Sequence, residues 1–142
     1  MLSVIIDVKD GAHRLPALLA QLTAGAVQGL VREVLIVAPH DLFVAELCEE
    51  TGAERAESLA AAAERSRAER LLVARADFRL RDGWVDALTD HLSSGGGAAR
   101  VRGLGGGLWL RDAVLVDRRR ALAHPDLDRL RRQLGLRPRR VG

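Results

Sequence analysis

"RLLVARADFRLRDGW" spans residues 70–84, and its reading decides the fold. Leu71-Leu72-Val73-Ala74 is a short, unbroken apolar run, as expected of a strand covered on both faces. It passes directly into Arg75-Ala76-Asp77, so polar chemistry begins where the strand ends. Ligands on open parallel sheets bind outside the carboxyl ends of the strands. The junction is therefore a candidate site, although polar residues also belong in any ordinary loop.

Two other segments read the same way. "LSVIIDV" (2–8) and "REVLIVA" (32–38) are apolar, β-branched runs that predict buried strands. Asp10-Gly11 turns the chain after the first, and "RLPALLAQL" (14–22) carries Leu15, Leu18, Leu19 and Leu22 at helical spacing. Asp41 is placed to cap a helix over "LFVAELCEE", with Gly52 at its carboxyl end. Ser58 is placed to cap "LAAAAERSRAE", and Asp82 to cap "GWVDALTDHL". "SSGGGAA" (93–99) reads as a flexible break. Beyond it, "ARVRGL" and "GLWLRDAVLV" predict half-exposed strands, and "PDLDRLRRQL" (125–134) a short basic helix with Pro125 in its first turn. The last stretch, "GLRPRRVG", is expected to fray. Alternating buried strands and helices predict an α/β fold, a three-layer α/β/α sandwich on a mainly parallel sheet. Residues 1–142 read as one domain, with a nucleotide-binding half over 1–92 and a short acceptor-side half over 98–142.

Composition narrows the function. The chain is 48% hydrophobic and 29% charged, which favours a packed core over disorder. With two Phe, two Trp and no Tyr it lacks the platforms of a base-stacking nucleic-acid binder. Residues 1–99 hold 10 bases and 15 acids (net −5), whereas 100–142 hold 12 bases and 4 acids (net +8). The basic half suits peripheral contact with an anionic membrane, or a solvated arginine-rich surface. Cys48 is alone, which excludes a disulfide framework. No run reaches the roughly 18 apolar residues of a membrane span, and "MLSVIIDVKDG" lacks the form of a signal peptide. A cytoplasmic protein is expected, and assembly into oligomers stays open.

Several standard sites fail. "GLGGGL" (103–108) places Leu108 where the last glycine of a dinucleotide fingerprint belongs. No P-loop pattern occurs, and His13, His40, His91 and His124 lack metal-ligand spacing. Ser3, Ser58, Ser66, Ser93 and Ser94 sit in no nucleophile elbow.

The order "SVIIDVKDGAHRLPALLAQL", "EVLIVAPHD", "AERLLVARADFRLRDGWVDALTDHL" resembles family 2 glycosyltransferases of the GT-A fold, with Ser3–Ile6, Leu15–Leu22, Glu33–Val37, Glu69–Val73, Leu80 and Trp84 keeping the framework. The resemblance implies transfer of a sugar from a nucleoside-diphosphate sugar to an acceptor that it does not identify. It places the metal-binding carboxylate of an Asp-x-Asp motif on Asp77, implying Mg²⁺ or Mn²⁺. The motif's first acid falls on Arg75, and the base-reading acid falls on Ala38. Asp7, Val8, Lys9 and Asp10 stand where the nucleoside pocket would be. The family's general base maps to Asp126 or Asp128. The departures leave a second reading open, a catalytically inactive relative kept for binding or assembly. Arg75 is expected either to grip a diphosphate or to pair with Asp77 or Glu69 on the surface. Asp126 and Asp128 equally suit the first turn of a helix, where acids favour the macrodipole.

Overall fold

β1 (Leu2–Asp7) lies inside the sheet with parallel partners on both sides, β2 (Val31–Val37) and β4 (Arg70–Arg75). The structure is a computed structural model that describes residues 1–104, 112–134, 140 and 141. β3 (Glu54–Ala56) extends the sheet beyond β2. On the other flank come β6 (Ala113–Asp117), β5 (Ala99–Val101) and β7 (Arg140–Val141), giving the order β3-β2-β1-β4-β6-β5-β7. β6 is antiparallel to both β4 and β5, and β7 is parallel to β5, so β6 is the one reversed strand among the described residues.

The pleat sorts β1 onto two cores. Val4 and Ile6 pack with α1 (Leu15–Val27), α2 (Leu42–Thr51) and α4 (Trp84–Ser93), through Leu18, Leu22, Val44, Trp84 and Leu88. Ile5 packs on the opposite face with α3 (Leu59–Arg65), α5 (Arg118–Ala123) and α6 (Leu127–Gln133), through Leu59, Ala62, Ala121 and Leu130. The expected α/β architecture, with helices on both faces, is what the chain forms.

Local signals account for most boundaries. Asp41 Oδ1 accepts from the Phe43 and Val44 amides at 2.7 and 3.4 Å, and Gly52 ends α2 at φ 77°. Ser58 Oγ accepts from the Ala61 amide at 3.1 Å. Asp82 does not cap α4: Gly83, at φ 80°, takes the cap position, and no side chain bonds there. Pro125 precedes the α6 cap, which is Asp126.

Other departures have physical causes. β3 and α5 carry too few apolar residues for a pattern to show. β3 is a three-residue edge, and α5 buries only Ala121. β5, and β6 up to its last residue Asp117, are buried rather than half-exposed, because β6 is sandwiched between β4 and β5 with helices above and below. In the tail, Arg140 and Val141 pair with Arg100 and Val101 instead of fraying, while residues 135–139 and 142 lie outside the described residues. The same is true of 105–111, which include most of the expected "GLWLR" segment.

Gly25 sits inside α1 against the Trp84 ring of α4. A Cβ there would run into the Trp84 ring and stand 2.8 Å from Val31 Cγ2. Gly25→Ala is therefore expected to destabilise by about 1–3 kcal/mol in chemical denaturation, overriding the helix preference for alanine. Gly97→Ala, with open space around it, is the control.

Candidate functional site

The carboxyl end of β1 turns sharply. The Gly11 amide donates to the Val8 carbonyl at 2.8 Å, and Lys9 within that turn has φ 47°, the only positive φ outside glycine among the described residues. The Ala76 amide donates to the Asp7 carbonyl at 3.3 Å, tying the ends of β4 and β1 together. Beyond Asp77 the loop is sewn to α1. Gln21 accepts from the Leu80 amide at 2.8 Å and donates back to the Leu80 carbonyl at 3.0 Å. Arg79 donates to the carbonyls of Ala76, Phe78 and Arg14 at 2.8, 2.7 and 2.9 Å.

These ties leave a cleft of about 220 Å³ lined by Val8, Asp10, Gly11, His13, Arg14, Arg75, Ala76 and Asp77. A recess of about 120 Å³ shares Arg14 and Asp77 with it and runs on to Gly103 and Asp112. Gly103 is needed there, since a Cβ would lie 2.8 Å from the Phe78 ring and 2.9 Å from the Arg79 carbonyl.

On the α6 side of the same rim, charges from four elements interact. Burial pushes the Asp7 carboxyl above its ordinary value; Lys9 and Arg75 pull it down, and Asp126 and Asp128 push it up further. The start of α6 therefore lies within electrostatic reach of β1. Asp126 Oδ1 accepts from the Asp128 amide at 3.0 Å, and Asp128 Oδ1 meets Arg131 Nη1 at 3.1 Å. Arg131 is buried, and its Nε donates to the Asp112 carbonyl at 2.9 Å. Burial lowers its pKa, Asp128 opposes that by charge and hydrogen bond, and nearby Arg75 adds to the lowering.

Of the residues singled out in the sequence, Val8, Asp10, Arg75 and Asp77 share the cleft, and Asp7 and Lys9 belong to the strand end and turn beside it. Asp126 and Asp128 approach Asp7 from α6. Ala38 is not part of the constellation. It is buried in the α1–α2 core, with its carbonyl taken by Arg55 Nη1 at 2.9 Å. The surface pair of Arg75 with Asp77 or Glu69 does not form. The Arg75 guanidinium makes no hydrogen bond and no ion pair within 4.0 Å among the described residues, while its carbonyl accepts from the Phe78 amide at 3.0 Å.

Sequence reading missed Gln21, Arg79, Asp112 and Arg131. Only Arg131 carried a signal, standing three residues after Asp128 on a helix.

The donor set falls short of a complete protein cage for a divalent metal. The cleft offers the carboxylates of Asp10 and Asp77, and no group of three or more His, Cys, Asp or Glu gathers among the described residues. A roomier groove of about 420 Å³, lined by Leu22, Arg32, Glu33 and Glu50 among others, lies beside the amino-terminal half of β2. That is the wrong end of the sheet for a ligand on an open α/β fold. No helix among the described residues is long and apolar enough to cross a membrane. Compared with known proteins, the chain matches no family model and no curated sequence.

Two stability tests follow from this geometry. An acid whose folded pKa is raised binds its proton more tightly in the native state, so stability falls as pH rises from the ordinary aspartate range through the raised value. Asp7→Asn should abolish that slope and melt higher than the parent above the window, read from thermal unfolding between pH 3 and 8. Lys9→Gly should relieve the left-handed turn and stabilise by about 1 kcal/mol.

Proposed function

We propose that the chain is a glycosyltransferase-like protein of the GT-A kind, which binds a nucleoside-diphosphate sugar in the rim cleft and passes the sugar to an acceptor hydroxyl. One observation carries the reading: Asp10, Arg75 and Asp77, from two strand ends far apart in sequence, line one cleft beside which Asp7 feels Asp126 and Asp128. The parallel run β3-β2-β1-β4, continued by the reversed β6, supports the fold part of the proposal.

In this reading Val8 to Asp10 flank the nucleoside and Arg75 faces the diphosphate. Asp126 or Asp128 takes the proton of the acceptor hydroxyl as its oxygen attacks the anomeric carbon. The bond from that carbon to the phosphate oxygen breaks, and the nucleoside diphosphate leaves with the electron pair. The sugar's anomeric configuration is inverted.

A second reading, a binding protein without turnover, draws on specific contacts. One Asp126 oxygen caps α6, one Asp128 oxygen is paired with Arg131, and apolar Ala38 stands where a base-reading acid would serve. Calorimetry against uridine and guanosine diphosphate sugars, followed by assay of released nucleoside diphosphate, separates the two. Transfer is expected to fall by about 10²–10⁴-fold when the true base is changed, in Asp126→Asn or Asp128→Asn, with donor affinity kept. Tight binding without turnover would favour the second reading, and no binding of any donor would sink both.

A further inference from the structure

We infer that the ligand's diphosphate is neutralised by Arg75, assisted by Lys9, rather than by a divalent cation, and that Asp77 accepts hydrogen bonds from ligand hydroxyls instead of holding metal. The inference rests on the nucleotide-sugar reading above and deepens it by fixing how the charge is met.

Three independent features point this way. The Arg75 side chain is exposed, lines the cleft and makes no hydrogen bond or ion pair among the described residues, whereas Arg79 and Arg131 are committed. Arg79 spends its donors on three carbonyls, Arg14 directs its Nε at His13, and Arg131 is engaged by Asp112 and Asp128. A planar guanidinium left free beside a strand's carboxyl end matches a pair of phosphate oxygens in shape and in charge. Its backbone is held in place by the parallel register that sets it beside Asp7.

Lys9 is the second feature. It is exposed, forms no ion pair, and is the one described non-glycine residue kept in the left-handed region, at φ 47°. Such a conformation is costly for a residue with a Cβ and tends to persist where function retains it. It presents a flexible ammonium in the turn beside Asp10, just after the strand whose last residue, Asp7, pairs with Arg75.

The donor chemistry is the third. Asp10 and Asp77 share the cleft with His13, Arg14 and Arg75, and among the described residues no three His, Cys, Asp or Glu side chains gather into a ligand set. Carboxylates so placed are well suited to accept from sugar hydroxyls, while a neighbouring guanidinium takes the phosphates.

The test is calorimetry with inorganic pyrophosphate and with uridine and guanosine diphosphate, each in excess EDTA and in Mn²⁺. The expected result is binding in EDTA that Mn²⁺ does not strengthen and that weakens as salt rises. Arg75→Gln should weaken pyrophosphate and the nucleoside diphosphates alike, by about tenfold to a hundredfold. Arg75→Lys should recover part of that loss. Asp77→Asn should weaken only the nucleoside diphosphates, since pyrophosphate has no ribose hydroxyl to donate. Because Arg75 and Asp77 are exposed, unchanged melting temperatures verify that the variants fold. Binding that requires Mn²⁺ and is lost in Asp77→Asn but kept in Arg75→Gln overturns this inference while leaving the nucleotide-sugar reading intact. Absence of binding to every probe in both conditions overturns that reading and the inference together.

Discussion

Every residue of β1 from Leu2 to Ile6 is buried, and both neighbours run parallel to it. A strand with no solvent face can tolerate polar groups only at its end, because an unpaired buried donor or acceptor costs about 1–3 kcal/mol. Ser3 is the exception, and it is satisfied: its hydroxyl donates to Glu33 at 2.6 Å and accepts from the Ala68 amide at 3.2 Å. The parallel register then brings the charged residues that close two strands, Asp7 and Arg75, to the same level. Everything proposed for the rim depends on this alignment.

The rim is shaped by arginines in two distinct states. Arg79 and Arg131 are consumed internally, one stitching a loop to α1 and the other joining α6 to the start of β6. Such guanidiniums stiffen the walls, because several donors in a fixed plane constrain several carbonyls or carboxylates at once. The Arg75 guanidinium, on the same rim, has no hydrogen bond or ion pair among the described residues. A guanidinium with unspent donors, beside committed ones, is the feature that separates a binding surface from a well-braced loop.

The carboxyl-terminal third uses its basic charge in a similar way. Arg100 and Arg131 are buried despite belonging to the arginine-rich half, and Arg118 Nη2 donates to the Glu64 carbonyl at 2.7 Å. Part of what reads as a polycationic tail is therefore interior bracing. The exposed remainder includes Arg102, Arg119, Arg129 and Arg132. His91 closes the same region: its Nε2 meets the Gly97 carbonyl at 2.8 Å, and Gly96 lies so close to the ring that no Cβ fits. The glycine run thus fits around a buried histidine, and the strands on either side of it join one sheet.

Strand placement and helix starts were legible in the sequence because they are local. The unbroken apolar runs at Val4–Ile6, Leu35–Val37 and Leu71–Ala74 need two covered faces. Asp41 and Ser58 cap helices with their own side chains. Asp10, Arg75 and Asp77 were recognisable as strand-end residues for the same reason. What only the tertiary structure decided is which strand ends meet. Edge strand β3 and helix α5 bury too little to leave a periodic trace, and Ala38, buried with its carbonyl bonded to Arg55, does not line the cleft. The approach of Asp126 and Asp128 to Asp7, the bracing by Gln21 and Arg131, and the unbonded Arg75 guanidinium depend on residues from 19 to more than 100 positions apart or on partners that fail to arrive. Contacts of that range follow from packing α6 and α1 against the sheet, and no local pattern encodes them.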